Sequence, residues 1–189
     1  NGTVVNATLS NDRFGNPNSA YNFNGISDKI IFSKPGPTGN PNVTVSFWIK
    51  TNSTRGSQLI GWGNDGKTGQ DFRINLNPNC PNAISFDTYD CAVNYTTNIP
   101  TNQWDHYVVI YNGSLAPNVF SSKIFKNGIQ LIKTCYTQNF GNTNISSLNP
   151  ITFGRYHGTV QNGFYSGLLD DVRIYNRVLT QQEVTYLSL

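Results

Sequence analysis

The chain has 189 residues, with 13 Lys+Arg against 10 Asp+Glu for a net charge of +3, and it is 13% aromatic and 12% charged. That length suits one large β-domain. So small and scattered an excess of positive charge gives no basis for a nucleic-acid or anionic-membrane partner, and no apolar run reaches the roughly 18 residues of a membrane span. We read residues 1–189 as one domain; a start at Asn1 without a leader pattern suits a piece of a larger protein.

Short strands follow one another along the chain. A strand is predicted around Thr3–Val5, another over Ser19–Gly25 with the glycine in a positive-φ turn, and a third over Lys29–Phe32. Lys34–Pro41, rich in Pro and Gly, is a loop. The strongest strand is Val43–Thr51, with Val43, Val45, Phe47 and Ile49 on one face and Trp48 and Lys50 on the other. Strands are then expected over 58–62, 71–76, 83–89, 103–111, 122–126, 130–134 and 151–155. Asn112-Gly113 and Asn127-Gly128 carry hairpin signals. In the last strand, 166–175, strict alternation puts Leu168, Asp170, Val172 and Ile174 on one face, leaving Asp170 at the mouth of the apolar side. Thr180-Gln181-Gln182-Glu183 is a capping box that opens a short helix carrying Val184 and Leu187. Alternating strands at regular spacing with almost no helical periodicity indicate an all-β antiparallel sandwich with a C-terminal helical cap.

There are three cysteines. Cys80 and Cys91 flank a segment containing Pro81 and Asn82, so they either close a hairpin-like loop by a disulfide or remain buried thiols. The absence of C-x-x-C and of Cys/His pairs argues against a metal on these sulfurs.

Five stretches occur in order: Ala20-Tyr21-Asn22-Phe23-Asn24-Gly25 with Asp28, Val45–Lys50, Trp104–Val108, Phe125–Gly128 and Gly167–Leu179. Together they resemble the laminin-G-like, concanavalin-A-like jelly-roll lectin family of secreted and surface proteins, over nearly the whole chain. The resemblance implies two curved antiparallel sheets, a Ca2+ ion with a structural role, and carbohydrate binding or adhesion at the cell surface or in the secreted space. In such domains the ion often ties the N-terminal strand to the last long strand. Candidate ligands are then Asp170 with Asp12, Asn24 or Asp28, since calcium takes oxygen donors. The alternative for Asp170 is to cap backbone N–H groups or to pair with an arginine such as Arg177.

Fold does not settle function. Glycoside hydrolysis needs two carboxylates facing one sugar, yet the one glutamate, Glu183, sits in the cap, and Asp170 and Asp171 alternate onto opposite faces. A polysaccharide lyase would instead draw on Arg73, Arg155, Tyr156 and His157, but no motif arranges them. His106 lies in a core-like strand, so we read it as structural, and we read Trp48 and Trp104 as packing residues. Sugar binding combines an aromatic platform with a few polar side chains. The candidates are Trp62, Arg73, Tyr89, Arg155, Tyr156 and His157, with Asp71, Asp87 and Tyr165 beside them. Trp62, set between glycines, is the tryptophan expected to be exposed. The chain is therefore expected to be a non-catalytic glycan-binding or adhesion module, its partners a glycan or surface polysaccharide and neighbouring domains of its parent. The alternatives are a structural or protein-interaction sandwich, or a lyase.

Overall fold

The computed structural model describes residues 2–77, 80, 82–136, 141–158 and 163–189. Asn1 and Pro81, both used above, lie outside the described residues. Among the described residues fifteen strands and one α-helix follow in chain order: β1 (Gly2–Val5), β2 (Thr8–Ser10), β3 (Ala20–Asn24), β4 (Lys29–Phe32), β5 (Asn42–Lys50), β6 (Ser57–Gly63), β7 (Asp71–Asn77), β8 (Ala83–Asp87), β9 (Ala92–Thr96), β10 (Asp105–Asn112), β11 (Ser122–Lys126), β12 (Ile129–Gln130), β13 (Lys133–Tyr136), β14 (Asn149–Phe153), β15 (Ser166–Tyr175) and α1 (Gln181–Leu187). They form two antiparallel sheets, one of eight strands in the order β1-β4-β14-β6-β7-β8-β9-β13, the other of seven in the order β12-β11-β10-β5-β15-β3-β2. This is the expected sandwich.

The core lies between the sheets. From β5 it receives Val43, Val45, Phe47 and Ile49, the face the alternation predicts, and from the opposite sheet Leu59, Ile60, Trp62, Phe72, Ile74, Ile84, Phe86 and Val93. β10 is buried on both sides. Tyr107, Val109 and Tyr111 face this core, while Val108 and Ile110 meet Phe125, Leu179 and Val184 in a second cluster under α1. Thr180 and Glu183 form the predicted capping box, and Arg177 clasps Glu183 at 2.6 Å. The helix is too short to persist alone, so packing of Val184 holds it.

Trp62 is fully buried, contrary to its expected exposure. Its ring stacks on Phe72 with centroids 4.0 Å apart, and its indole N–H donates to the Pro37 carbonyl at 2.9 Å. The flanking glycines do not expose the ring; Gly36 of the preceding loop lies against its face. Tyr165, also a rim candidate, is fully buried with its hydroxyl donated to Leu168 O at 3.0 Å.

One of the two Asn-Gly signals turns the hairpin expected of it. Asn127-Gly128 forms the predicted two-residue hairpin, both residues at positive φ, joining Lys126 to Ile129. Asn112-Gly113 does not: β10 and β11 pair, but only after the intervening 3₁₀ turn Val119–Ser121. Conversely, β9 escaped the sequence reading because its hairpin turn is Tyr89-Asp90, at φ 38° and 61°, instead of an Asn-Gly pair. The disulfide joins Cys80 to Cys135, which corrects the Cys80–Cys91 loop; Cys91 is a buried free thiol.

β15 departs from strict alternation. Its register against β5 shifts between Asp170 and Arg173, and Asp171 sits at φ 47°. This is a bulge, which re-aims the residues on either side of it. Leu169, opposite Ile49, faces the core, and Asp170, opposite Trp48, lies on the outer face; beyond the bulge Ile174, opposite Val45, returns inward. Asp170 is thus not at the mouth of the apolar face.

Candidate functional site

Arg73 is the centre of a polar cluster on the outer face of the eight-stranded sheet. On β7, Phe72, Ile74 and Leu76 go to the core, so Asp71, Arg73 and Asn75 point the other way. Arg73 stands between Gly61 of β6 and Asp87 of β8, its two cross-strand partners. Its Nε donates to Asp71, and its Nη2 donates to Asp65 at 2.7 Å. The Arg73 and Asp65 side chains are 9% and 8% exposed, and Asp71 is wholly buried. The guanidinium also meets two aromatic rings, Tyr89 at 5.0 Å and Tyr156 at 5.6 Å, each half-buried.

His157 and Arg155 close the cluster from the segment after β14. His157 lies against Gln58 through Nδ1, 3.2 Å from the amide nitrogen, and its Nε2 is 3.6 Å from Asp71. Gln58 also donates to the Arg155 carbonyl at 2.8 Å, and Arg155 Nη2 donates to Gly158 O at 3.1 Å. Gly61 permits this approach, since a methyl group there would collide with the Gln58 amide and the His157 ring. Gly158 does the same for the Asp65 carboxylate.

Burial sets the charges. It pushes the Asp71 carboxyl up against the pull of Arg73, and it pushes Asp87 up to about 6. Burial, with Arg73 and Arg155 nearby, drives His157 down to about 3, so its ring is neutral. Arg73 is held up by Asp71, Asp87 and Asp65 despite its own burial. Several buried atoms have no hydrogen-bond partner: the acceptors Asp71 Oδ1, Asn75 Oδ1 and Asp87 Oδ1, the donors Arg155 Nε and Nη1, and His157 Nε2.

Five of the six predicted binding residues therefore meet: Arg73, Tyr89, Arg155, Tyr156 and His157. The sixth, Trp62, is in the core. Asp71 and Asp87 join them, and with Asp65 they put three carboxyls around one cation, which strand alternation read one strand at a time does not disclose. Asp65, Gln58 and Asn75 were missed. Gln58 and Asn75 leave a faint signal, polar residues inside otherwise apolar strands; Asp65 lies in an Asn64-Asp65-Gly66 turn that gives none.

The predicted calcium ligands do not converge. Asp170 accepts from Arg13 Nη1 at 3.0 Å, and Arg13 Nη2 lies 3.4 Å from Asp171. The arginine that pairs with Asp170 is therefore Arg13, not Arg177. Asn24 is opposite Ser166, four residues from Asp170 along β15, roughly 13 Å away at strand rise. Its Oδ1 accepts from the N–H groups of Ile26 and Ser27, and the buried Asp28 accepts from Asn24 N–H at 2.8 Å. Asp12 accepts from Phe14 N–H and Asn16 N–H, both at 2.9 Å. Each oxygen already has local donors, and these four residues do not form one calcium shell. Among the described residues no group of three or more His, Cys, Asp or Glu is placed to hold a metal.

The Arg13 guanidinium ties the N-terminal segment to β15, and it also lies 4.6 Å over Trp48. Below it, His106 Nε2 is 2.8 Å from Ser46 Oγ, and burial, with Arg13 nearby, pushes this histidine down to about 4. Arg13→Ala is expected to cost about 1–2 kcal/mol, from a partly buried pair plus a cation–π contact. Melting with and without EDTA tests the expected calcium, because an ion bound only by the folded chain must raise its stability. A fall in EDTA that Asp170→Asn abolishes would show that Asp170 holds an ion after all.

A family model described as the concanavalin A-like lectin/glucanases superfamily, of laminin G type, matches residues 24–185. No curated protein sequence matches the chain. Domain 4 of AbnA, a GH43 extracellular arabinanase from Geobacillus stearothermophilus solved with arabinotriose, superposes with a TM-score of 0.71 at 19% identity, covering 100% of this chain and 88% of that one. A botulinum neurotoxin type C structure, whose cell entry depends on two ganglioside molecules, gives 0.68 at 17% identity and covers 100% of this chain but 46% of that one. Trypanosoma rangeli sialidase with the inhibitor DANA gives 0.65 at 18%, covering 100% of this chain and 29% of the sialidase. At such identities the likeness is one of fold.

Proposed function

Because this chain belongs to the concanavalin A-like lectin/glucanases superfamily, we propose that it is a non-catalytic carbohydrate-binding module, adhesive in use and carried outside the cell as one domain of a larger protein. The observation that supports this most is Arg73 in contact with the rings of both Tyr89 and Tyr156, with Asp87 half-buried on the neighbouring strand. Two aromatic faces next to fixed polar groups are the makings of a sugar site. Tyr89 adds a second reason. A bulky residue at φ 38° is held at a cost, and such outliers concentrate where function needs them.

Binding is favoured over chemistry. A histidine pushed to about 3 is a weak general base at neutral pH, and both carboxylates nearest Arg73 are bound to it. The disulfide and the extracellular arabinanase among similar structures point to an extracellular domain.

A glycan array followed by calorimetry on each hit tests the proposal. Tyr156→Ala is expected to weaken binding about tenfold or more, the equivalent of one lost stacking contact. A folded protein that binds no glycan on the array would refute the reading.

A further inference from the structure

We propose that the Arg73 site selects uncharged oligosaccharides and discriminates against acidic ones, an inference that rests on the glycan-binding reading above. An arginine beside two tyrosines looks at first like a receptor for a uronate or sialate carboxylate, but the geometry assigns it otherwise. Arg73 spends Nε on Asp71 and Nη2 on Asp65. Its charge is answered inside the protein by groups as buried as itself. What an incoming sugar meets is the half-buried layer: the phenols Tyr89 and Tyr156, the carboxylate Asp87, and the exposed Asp90 on the same turn as Tyr89. The charges in that layer are negative, so a sugar carboxylate approaching it is repelled before it reaches any cation.

Calorimetry with four trisaccharide-sized probes tests this: arabinotriose and maltotriose as neutral ligands, trigalacturonate and sialyllactose as acidic ones. At least one neutral probe is expected to bind tenfold or more tighter than either acidic probe. Asp87→Asn, an isosteric change, should weaken the neutral ligand by about tenfold and narrow the gap to the acidic pair. Acidic probes binding as tightly as neutral ones to the wild-type protein would overturn this inference and leave the glycan-binding reading standing. Binding of none of the four, by a protein that also fails on the glycan array, would overturn both. The wild-type comparison is decisive even if Asp87→Asn does not fold.

Discussion

Arg73→Met is expected to destabilise the protein by about 3–5 kcal/mol in urea unfolding, the usual cost of removing one partner from a buried ion pair. The loss would come less from the missing attraction than from what stays behind. Asp71 is fully buried and the Asp65 side chain 8% exposed, so both would keep their desolvation cost without a counter-charge. Two companions separate this from simple loss of packing. Arg73→Lys keeps the charge but replaces a planar guanidinium, whose Nε and Nη2 serve two carboxylates and which meets two aromatic rings, by one compact ammonium on a shorter stem, and it should recover only part of the stability. Adding Asp71→Asn to Arg73→Met should recover part as well, giving a favourable coupling in a double-mutant cycle. A cost below 1 kcal/mol for Arg73→Met would mean that water reaches Asp71 and Asp65 once the arginine is gone and that their burial does not depend on it.

Removing the Cys80–Cys135 bridge is expected to cost about 4 kcal/mol on the chain-entropy account of a 55-residue separation. Cys135 lies on β13, at the edge of the eight-stranded sheet, and Cys80 follows β7. The bond therefore fixes the last strand of that sheet to the stretch after β7, three strands away in the sheet order. Cys135→Ser should show the loss in equilibrium unfolding, whereas Cys91→Ser, a small change at a buried thiol, should cost far less. Peptide mapping without reduction checks the pairing directly; a Cys80–Cys91 peptide would refute it.

The residues that build the layers were legible because burial imposes a period of two wherever one face meets the core. Val43, Val45, Phe47 and Ile49 read as one face and are one face. The C-terminal cap was legible for a similar reason, since Thr180 and Glu183 satisfy each other within four residues. Reading failed where a local signal was absent or misled. Tyr89-Asp90 turns a hairpin without glycine, so β9 was invisible, while Asn112-Gly113 offered glycine and turned no hairpin. At Asp171 a single extra residue slipped the register and moved Asp170 to the outer face, which alternation alone cannot foresee.

What the sequence by itself determined is the sandwich, the core face of β5, the helical cap, and the residue types from which a site would be made. Those follow from hydrophobic burial and backbone geometry, both of which act over a few neighbouring residues. Only the tertiary structure decided which of these residues meet. Arg73 finds Asp87 across a strand pair, Asp65 from a turn eight residues back, and His157 and Arg155 more than eighty residues further on. The same holds for Arg13 on Asp170, 157 residues apart, and for Cys80 on Cys135. Such pairings carry no local imprint, because their energy depends on the register and packing of whole sheets.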